Sequence, residues 1–108
     1  LGLFRFWPRR SWRSARGFTL AVYKETLLAV EGFDESYQAW GLEDSDFVVR
    51  CIRAGAVLKD SRYSTSCLHL WHLEKGDSIE SPNSDRFERL NMEGQRIRPM
   101  KSCLSGVV

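Results

Sequence analysis

The apolar positions change their spacing several times along the chain, and each change predicts an element. Residues 18–23, "FTLAVY", form a short apolar run after Gly17 and read as a buried strand. "KETLLAVEG" then reads as a short helix from Lys24 to about Glu31, with Leu27, Leu28 and Val30 facing inward. Gly32 is expected to stop it as a left-handed cap, with Phe33 packing back on it. After a polar connection, Phe47, Val48, Cys51 and Ile52 repeat at the spacing of one helical face. That helix should start near Gly41 or Leu42 and end before Gly55, with Asp46 and Arg50 pairing across one turn on its exposed side. "AVLKD" and "YSTSCLHLW" look like two short strands, and residues 74–83 a loop. "NSDRFERLNMEG" suits an amphipathic helix closed by Gly94, followed by an irregular end.

Composition narrows the picture. A chain of 108 residues that is 43% hydrophobic supports one domain with a modest core. Four Trp and six Phe argue against disorder. No apolar run reaches the roughly 20 residues a membrane-spanning helix needs, and no signal-peptide pattern opens the chain. The small net charge of +2 hides an asymmetry. Arg5, Arg9, Arg10, Arg13 and Arg16 crowd the first 16 residues with no acid among them, so the rest is net negative. With Phe4, Phe6, Trp7 and Trp12 interleaved, this opening could meet a phosphate-bearing ligand, anionic lipid or nucleic acid. A solvated loop with packed aromatics is the favoured reading. Cys51, Cys67 and Cys103 form no disulfide framework, which points to a reducing compartment.

The candidate chemistry begins with "WGLEDSD". Glu43, Asp44 and Asp46 fall in the first turn of the second helix, where acids complement the macrodipole and meet unpaired N–H groups. Spacing alone favours that capping role. Trp40 and Gly41 shift the balance, because an indole beside carboxylates can carry the C–H face of a sugar whose hydroxyls the acids accept. An ionised Asp there could also take a proton from an attacking hydroxyl, working through its position. The two histidines, His69 and His72, lie three apart with Cys67 close by. Metal ligation and a hydrogen-bonded pair at a strand end both fit that spacing, and the second fits more often.

Taken in order, these pieces resemble bacterial family 2 glycosyltransferases of the GT-A fold and the matching region of the β-1,4-galactosyltransferases. The resemblance rests on residues 17–30, Gly32-Phe33-Asp34-Glu35, Trp40-Gly41-Leu42-Glu43-Asp44-Ser45-Asp46, Arg50, Gly55 and His69-Leu70-Trp71-His72. It covers about half the chain, and more loosely extends to Asn83. Thr19 stands where the family often has Asn, and Lys75-Gly76-Asp77-Ser78 replaces an Asp-Arg step that often follows the histidines.

The resemblance implies transfer of a sugar from a nucleotide-sugar donor to a hydroxyl on a glycan or lipid-linked glycan. It assigns Asp44 as general base and Glu43 to sugar hydroxyls, with Trp40, Gly41 and Asp46 on the substrate side and Arg16 near the diphosphate. It places a Mn²⁺ or Mg²⁺ on His72, with His69 as the second candidate, to neutralise the departing diphosphate. The implied fold is α+β, two or three short helices with a few short strands, as the C-terminal half of a GT-A enzyme. Residues 1–16 would be a basic loop, 17–83 the motif-bearing core and 84–108 the tail. The nucleotide-binding half has no room here, so the piece alone should be inactive, with surface exposed for dimerisation or for its missing partner. The expected place is the cytoplasm, at the inner face of a bacterial membrane, in the making of envelope polysaccharide. A non-catalytic glycan- or partner-binding module ranks second, and a nucleic-acid binder resting on residues 1–16 ranks last.

Overall fold

The computed structural model describes residues 11–14, 19–38, 40–59, 68, 70, 82–92 and 94–106. A 3-10 turn at Trp12–Ser14 precedes three helices, α1 (Lys24–Ala29), α2 (Glu43–Arg53) and α3 (Ser84–Met92). None of these helices is long and apolar enough to cross a membrane. Between described residues, strand pairing amounts to an isolated antiparallel bridge joining Asp34 and Ser102. The helical part of the α+β expectation therefore holds, and the described residues form no extended strand.

The strand expected over residues 18–23 does not form where it is described. Residues 20–23 carry no regular structure, and Val22 and Tyr23 are exposed. Tyr23 is extended (φ −66°, ψ 143°), but an extended segment becomes a strand only with a neighbour to bond, and no described segment pairs with it. Among residues 56–59 Leu58 takes part in an isolated bridge while its neighbours carry no strand, and residues 63–67, 69 and 71 of the other expected strand lie outside the described set.

Helix α1 ends in a Schellman motif. The Gly32 N–H donates to Leu27 O (2.9 Å) and the Glu31 N–H to Leu28 O (3.1 Å). The left-handed residue at the position after the cap is therefore Glu31 (φ 57°), with Gly32 (φ 72°) following it, one position earlier than the sequence suggested. Gly32 is needed for a second reason. A Cβ there would come within 2.5 Å of Cys103 Sγ and 3.1 Å of Leu104 Cγ. Leu28, expected inward, is exposed, since one residue turns the helix by about 100° and Leu27 already faces the core.

Helix α2 is the spine. Phe47 and Cys51 are buried with Val30, and Leu20, Leu27 and Ala56 pack against them. Val48, Val49, Phe87 and Leu90 are also buried. The helix closes with its own Schellman motif: Ala56 N–H to Cys51 O and Gly55 N–H to Ile52 O, both 3.0 Å, with Gly55 left-handed at φ 96°. Phe33 stacks on Phe47 of α2, at 4.4 Å between ring centroids.

One expectation is reversed in kind. The Asp46–Arg50 pair is internal, with side chains 1% and 0% exposed and Arg50 Nε 2.8 Å from Asp46 Oδ2. Its orientation has a cause in α1. Arg50 Nη1 donates to Val30 O and Gly32 O, each at 2.8 Å, so the guanidinium satisfies carbonyls at the end of α1 that would otherwise be buried without partners. A cation also suits that end of the helix dipole.

The irregular end wraps back over this junction. Glu35 N–H donates to Lys101 O (2.9 Å), Cys103 N–H to Phe33 O (3.2 Å) and Ser102 Oγ to Glu31 O (2.7 Å). Residues 96–103 thus form a strap over residues 31–35.

Candidate functional site

The Trp-Gly turn before α2 is held in an uncommon backbone shape. Gly41 (φ 109°) and Leu42 (φ 69°) both have positive φ, with Leu42, in the left-handed region, the N-cap of α2. A left-handed leucine carries a steric cost of about 1–2 kcal/mol, and such strain tends to collect at functional positions. Two contacts fix the turn. Glu43 Oε2 accepts from the Gly41 N–H at 2.8 Å, and Asn83 Nδ2 donates to Gly41 O at 2.8 Å. Asn83 is buried at the start of α3, so its amide bridges two elements.

Leu42 offers no side-chain cap, and the acids take up part of that work. Asp44 Oδ1 accepts from the Ser45 N–H at 2.7 Å, one of the first-turn donors a helix leaves unpaired. Glu43 and Asp44 nevertheless remain half-buried at the surface, and Trp40 beside them is 72% exposed. The structure therefore brings Trp40, Gly41, Glu43 and Asp44 into one turn.

Asp46 belongs to a different environment. Besides Arg50, its carboxylate accepts from Tyr37 Oη (3.2 Å) and from Arg96 Nη2. Burial, and then the neighbouring Asp46 carboxylate, push the Tyr37 phenol well above its usual range, so it stays a donor. Asp34 sits in a matching nest. Its carboxylate accepts from Ser36, from the Met100 N–H (2.8 Å) and the Lys101 N–H (3.2 Å), and lies 3.3 Å from Arg96 Nη1. Burial would push the Asp34 carboxyl up, but the hydrogen bonds from Ser36, Met100 and Lys101 together hold it below its ordinary value.

Arg16, His69 and His72 lie outside the described residues, as does Cys67. Among the described residues no group of three or more His, Cys, Asp or Glu could hold a metal ion. A groove of about 640 Å³ opens on the other side of Leu42, between the 3-10 turn, α2 and α3, lined in part by Trp12, Val49, Phe87 and Met92. Neither Glu43 nor Asp44 lines it. Sequence reasoning did not single out Asp34, Asn83, Arg86 or Arg96. Asp34 stood in the Gly32–Glu35 motif and Asn83 and Arg86 in the stretch expected as the last helix, but none was given a role at the site, and nothing local to Arg96 distinguishes it from Arg98.

The model of the family described as the N-terminal domain of galactosyltransferase matches residues 3–102, nearly the whole chain. The chain belongs to that family. Among curated relatives of this galactosyltransferase-family domain, beta-1,4-galactosyltransferase 1 of Mus musculus is 31% identical over 83 residues, covering 76% of this chain and 20% of the relative. Chondroitin sulfate synthase 3 of Homo sapiens is 37% identical over 62 residues, covering 56% of this chain and 7% of the relative. The chain thus spans a fifth or less of the curated relatives it matches. No solved structure gives a significant match. The expectation of a glycosyltransferase domain is met at the level of the family. The family's description names an N-terminal domain where the sequence reading expected a C-terminal portion, so the match carries the kind of protein and not that position.

Proposed function

We propose that this domain supplies the acceptor side of a glycosyl transfer, in which a hydroxyl of a glycan or lipid-linked glycan attacks a nucleotide-sugar. One arrangement supports the reading: an exposed indole at Trp40, followed within one turn by the half-buried carboxylates of Glu43 and Asp44. The C–H face of a sugar ring lies on the indole, and Glu43 accepts from its hydroxyls. Asp44 takes the proton of the attacking hydroxyl as the new carbon–oxygen bond forms. The bond from the anomeric carbon to the diphosphate breaks on the opposite face, so the anomer inverts. Gly41 keeps the floor of this pocket free of a side chain.

The nucleotide-binding part lies elsewhere in the full protein, and this piece is its C-terminal partner within a GT-A-type fold. Val22, Tyr23 and Leu28, apolar and exposed on and before α1, are suited to pack against that part or a second copy of the fragment. Arg16 is assigned to the diphosphate. His72, with His69 as second candidate, would hold a Mn²⁺ or Mg²⁺, whose charge would neutralise the leaving diphosphate. Among the described residues no group of three or more acids, His or Cys assembles a site for it. A cytoplasmic setting at the inner face of a bacterial membrane belongs to the same proposal.

The deciding variant is Asp44→Asn in the full protein. Transfer to the acceptor should fall by about a thousandfold or more, while nucleotide-sugar affinity, read by calorimetry, stays within about threefold. Near-normal turnover would take Asp44 out of the base role. Sugar binding without transfer, in the unmodified protein, would favour the glycan-binding module instead.

A further inference from the structure

The candidate carboxylates stand at the start of α2, where the connection from residue 34 enters the helix, and one side chain ties the two ends of that connection together. Asp34 precedes the Trp-Gly turn and Asp46 follows it, and both carboxylates are essentially closed to solvent. The guanidinium of Arg96 joins them, Nη1 lying 3.3 Å from Asp34 Oδ2 and Nη2 bonding Asp46 Oδ1. The loop between is held at further points by the same part of the chain. Arg86 bonds Ser36 Oγ and lies 5.3 Å over the Tyr37 ring, and Asn83 holds Gly41 O.

We propose that Arg96 is a positioning residue: by tying Asp34 to Asp46 it holds the connection into the first turn of α2 and so sets Glu43 and Asp44 relative to Trp40. The consequence for transfer rests on the reading of those carboxylates given above; the closure itself does not. Only a planar fork can serve two carboxylates from two nitrogens at once, which a lysine's single ammonium cannot reproduce. Stability alone gives a poor account of the cluster. Buried ion pairs are often no better than packed apolar groups. Here Arg50 Nη2, Arg86 Nε and Arg96 Nε are also buried without a hydrogen-bond partner among the described residues, a cost that a purely stabilising network would avoid. What the cluster supplies is a fixed separation between the two ends of the loop.

The test uses Arg96→Lys in the full protein, which keeps a cation beside both acids, and Asp34→Asn, which removes one charged foot but keeps an accepting oxygen. Amide hydrogen exchange is read over residues 38–46 and, as the control, over residues 47–53. Each variant should exchange about tenfold faster or more over the loop, with the control segment unchanged. The double variant should add little to either single one, because both break the same tie. In transfer assays kcat should fall about 10- to 100-fold with the donor KM unchanged. Loop exchange that stays at the native rate in folded Arg96→Lys and Asp34→Asn would overturn the proposal, as would acceleration spread equally over residues 47–53. If the native protein transfers no sugar, the acceptor-site reading falls, while the exchange data still decide the clasp.

Discussion

Asp46 and Asp44 are two residues apart on the same helix and lead opposite lives. Asp46 is 1% exposed and serves Arg50, Arg96 and Tyr37. Asp44 stays half-buried at the surface, engaged with the adjacent Ser45 N–H. Two residues turn an α-helix by about 200°, so in the first turn of α2 one acid must point inward if the other points out. The difference teaches that an acidic cluster is not one chemical object. Asp46, with Asp34, builds the frame; Glu43 and Asp44 are presented by it.

The contrast can be broken most forcefully from inside. Asp46→Ala leaves the Arg50 guanidinium buried without its counter-ion, and chemical denaturation should show a loss of about 3–5 kcal/mol. Asp44→Asn should cost under about 1 kcal/mol in the same measurement, the range of a weakened helix-start contact. If the two losses are equal, the division into frame and surface is wrong.

Acid probes the frame next. The folded Asp34 carboxyl is held below its ordinary value of 3.8. Its stabilisation is therefore complete above that value and is lost as pH falls below it, through the lower folded value. Denaturation midpoints measured between pH 6 and pH 2.5 should fall less steeply in Asp34→Asn than in the native protein. Parallel curves would show that Asp34 carries no such linkage.

Smaller effects test how the strap reaches the frame. Gly32→Ala forces a side chain into left-handed backbone against Cys103 and should cost about 1–2 kcal/mol. Thermal melting reads it directly. The smallest expected change has the opposite sign. Glu31 already occupies a left-handed position, and its ion pair with Arg98 is exposed. Glu31→Gly should therefore stabilise the protein by roughly 0.5 kcal/mol; a clear loss would mean that the Arg98 pair outweighs the backbone cost.

The helices were legible because their signals are local. The 3.6-residue spacing of α2, Gly55 after its last turn and the amphipathic stretch ending at Gly94 all lie within the elements they mark. Leu28, the strand over residues 18–23 and the Asp46–Arg50 pair were misplaced for a common reason: each depends on which neighbour arrives. Nothing in "EDSDFVVR" reveals that Arg50 will cap α1. At the candidate site, Trp40, Gly41, Glu43 and Asp44 were legible as one contiguous motif, and their roles as acceptor-side groups came from resemblance. Arg96 and Asn83 could not be read, since their partners lie more than 40 positions away and a single sequence records no such pairing.

The strap also changes where this unit should be cut. The last helix stops at Met92, and a gene fragment trimmed to that boundary would look complete on a helix diagram. It would nonetheless discard Arg96, the amides of Met100 and Lys101, and every counter-charge Asp34 has in the described protein. An expression boundary at or beyond residue 103 keeps the frame whole, which is also where the family match, ending at residue 102, all but reaches.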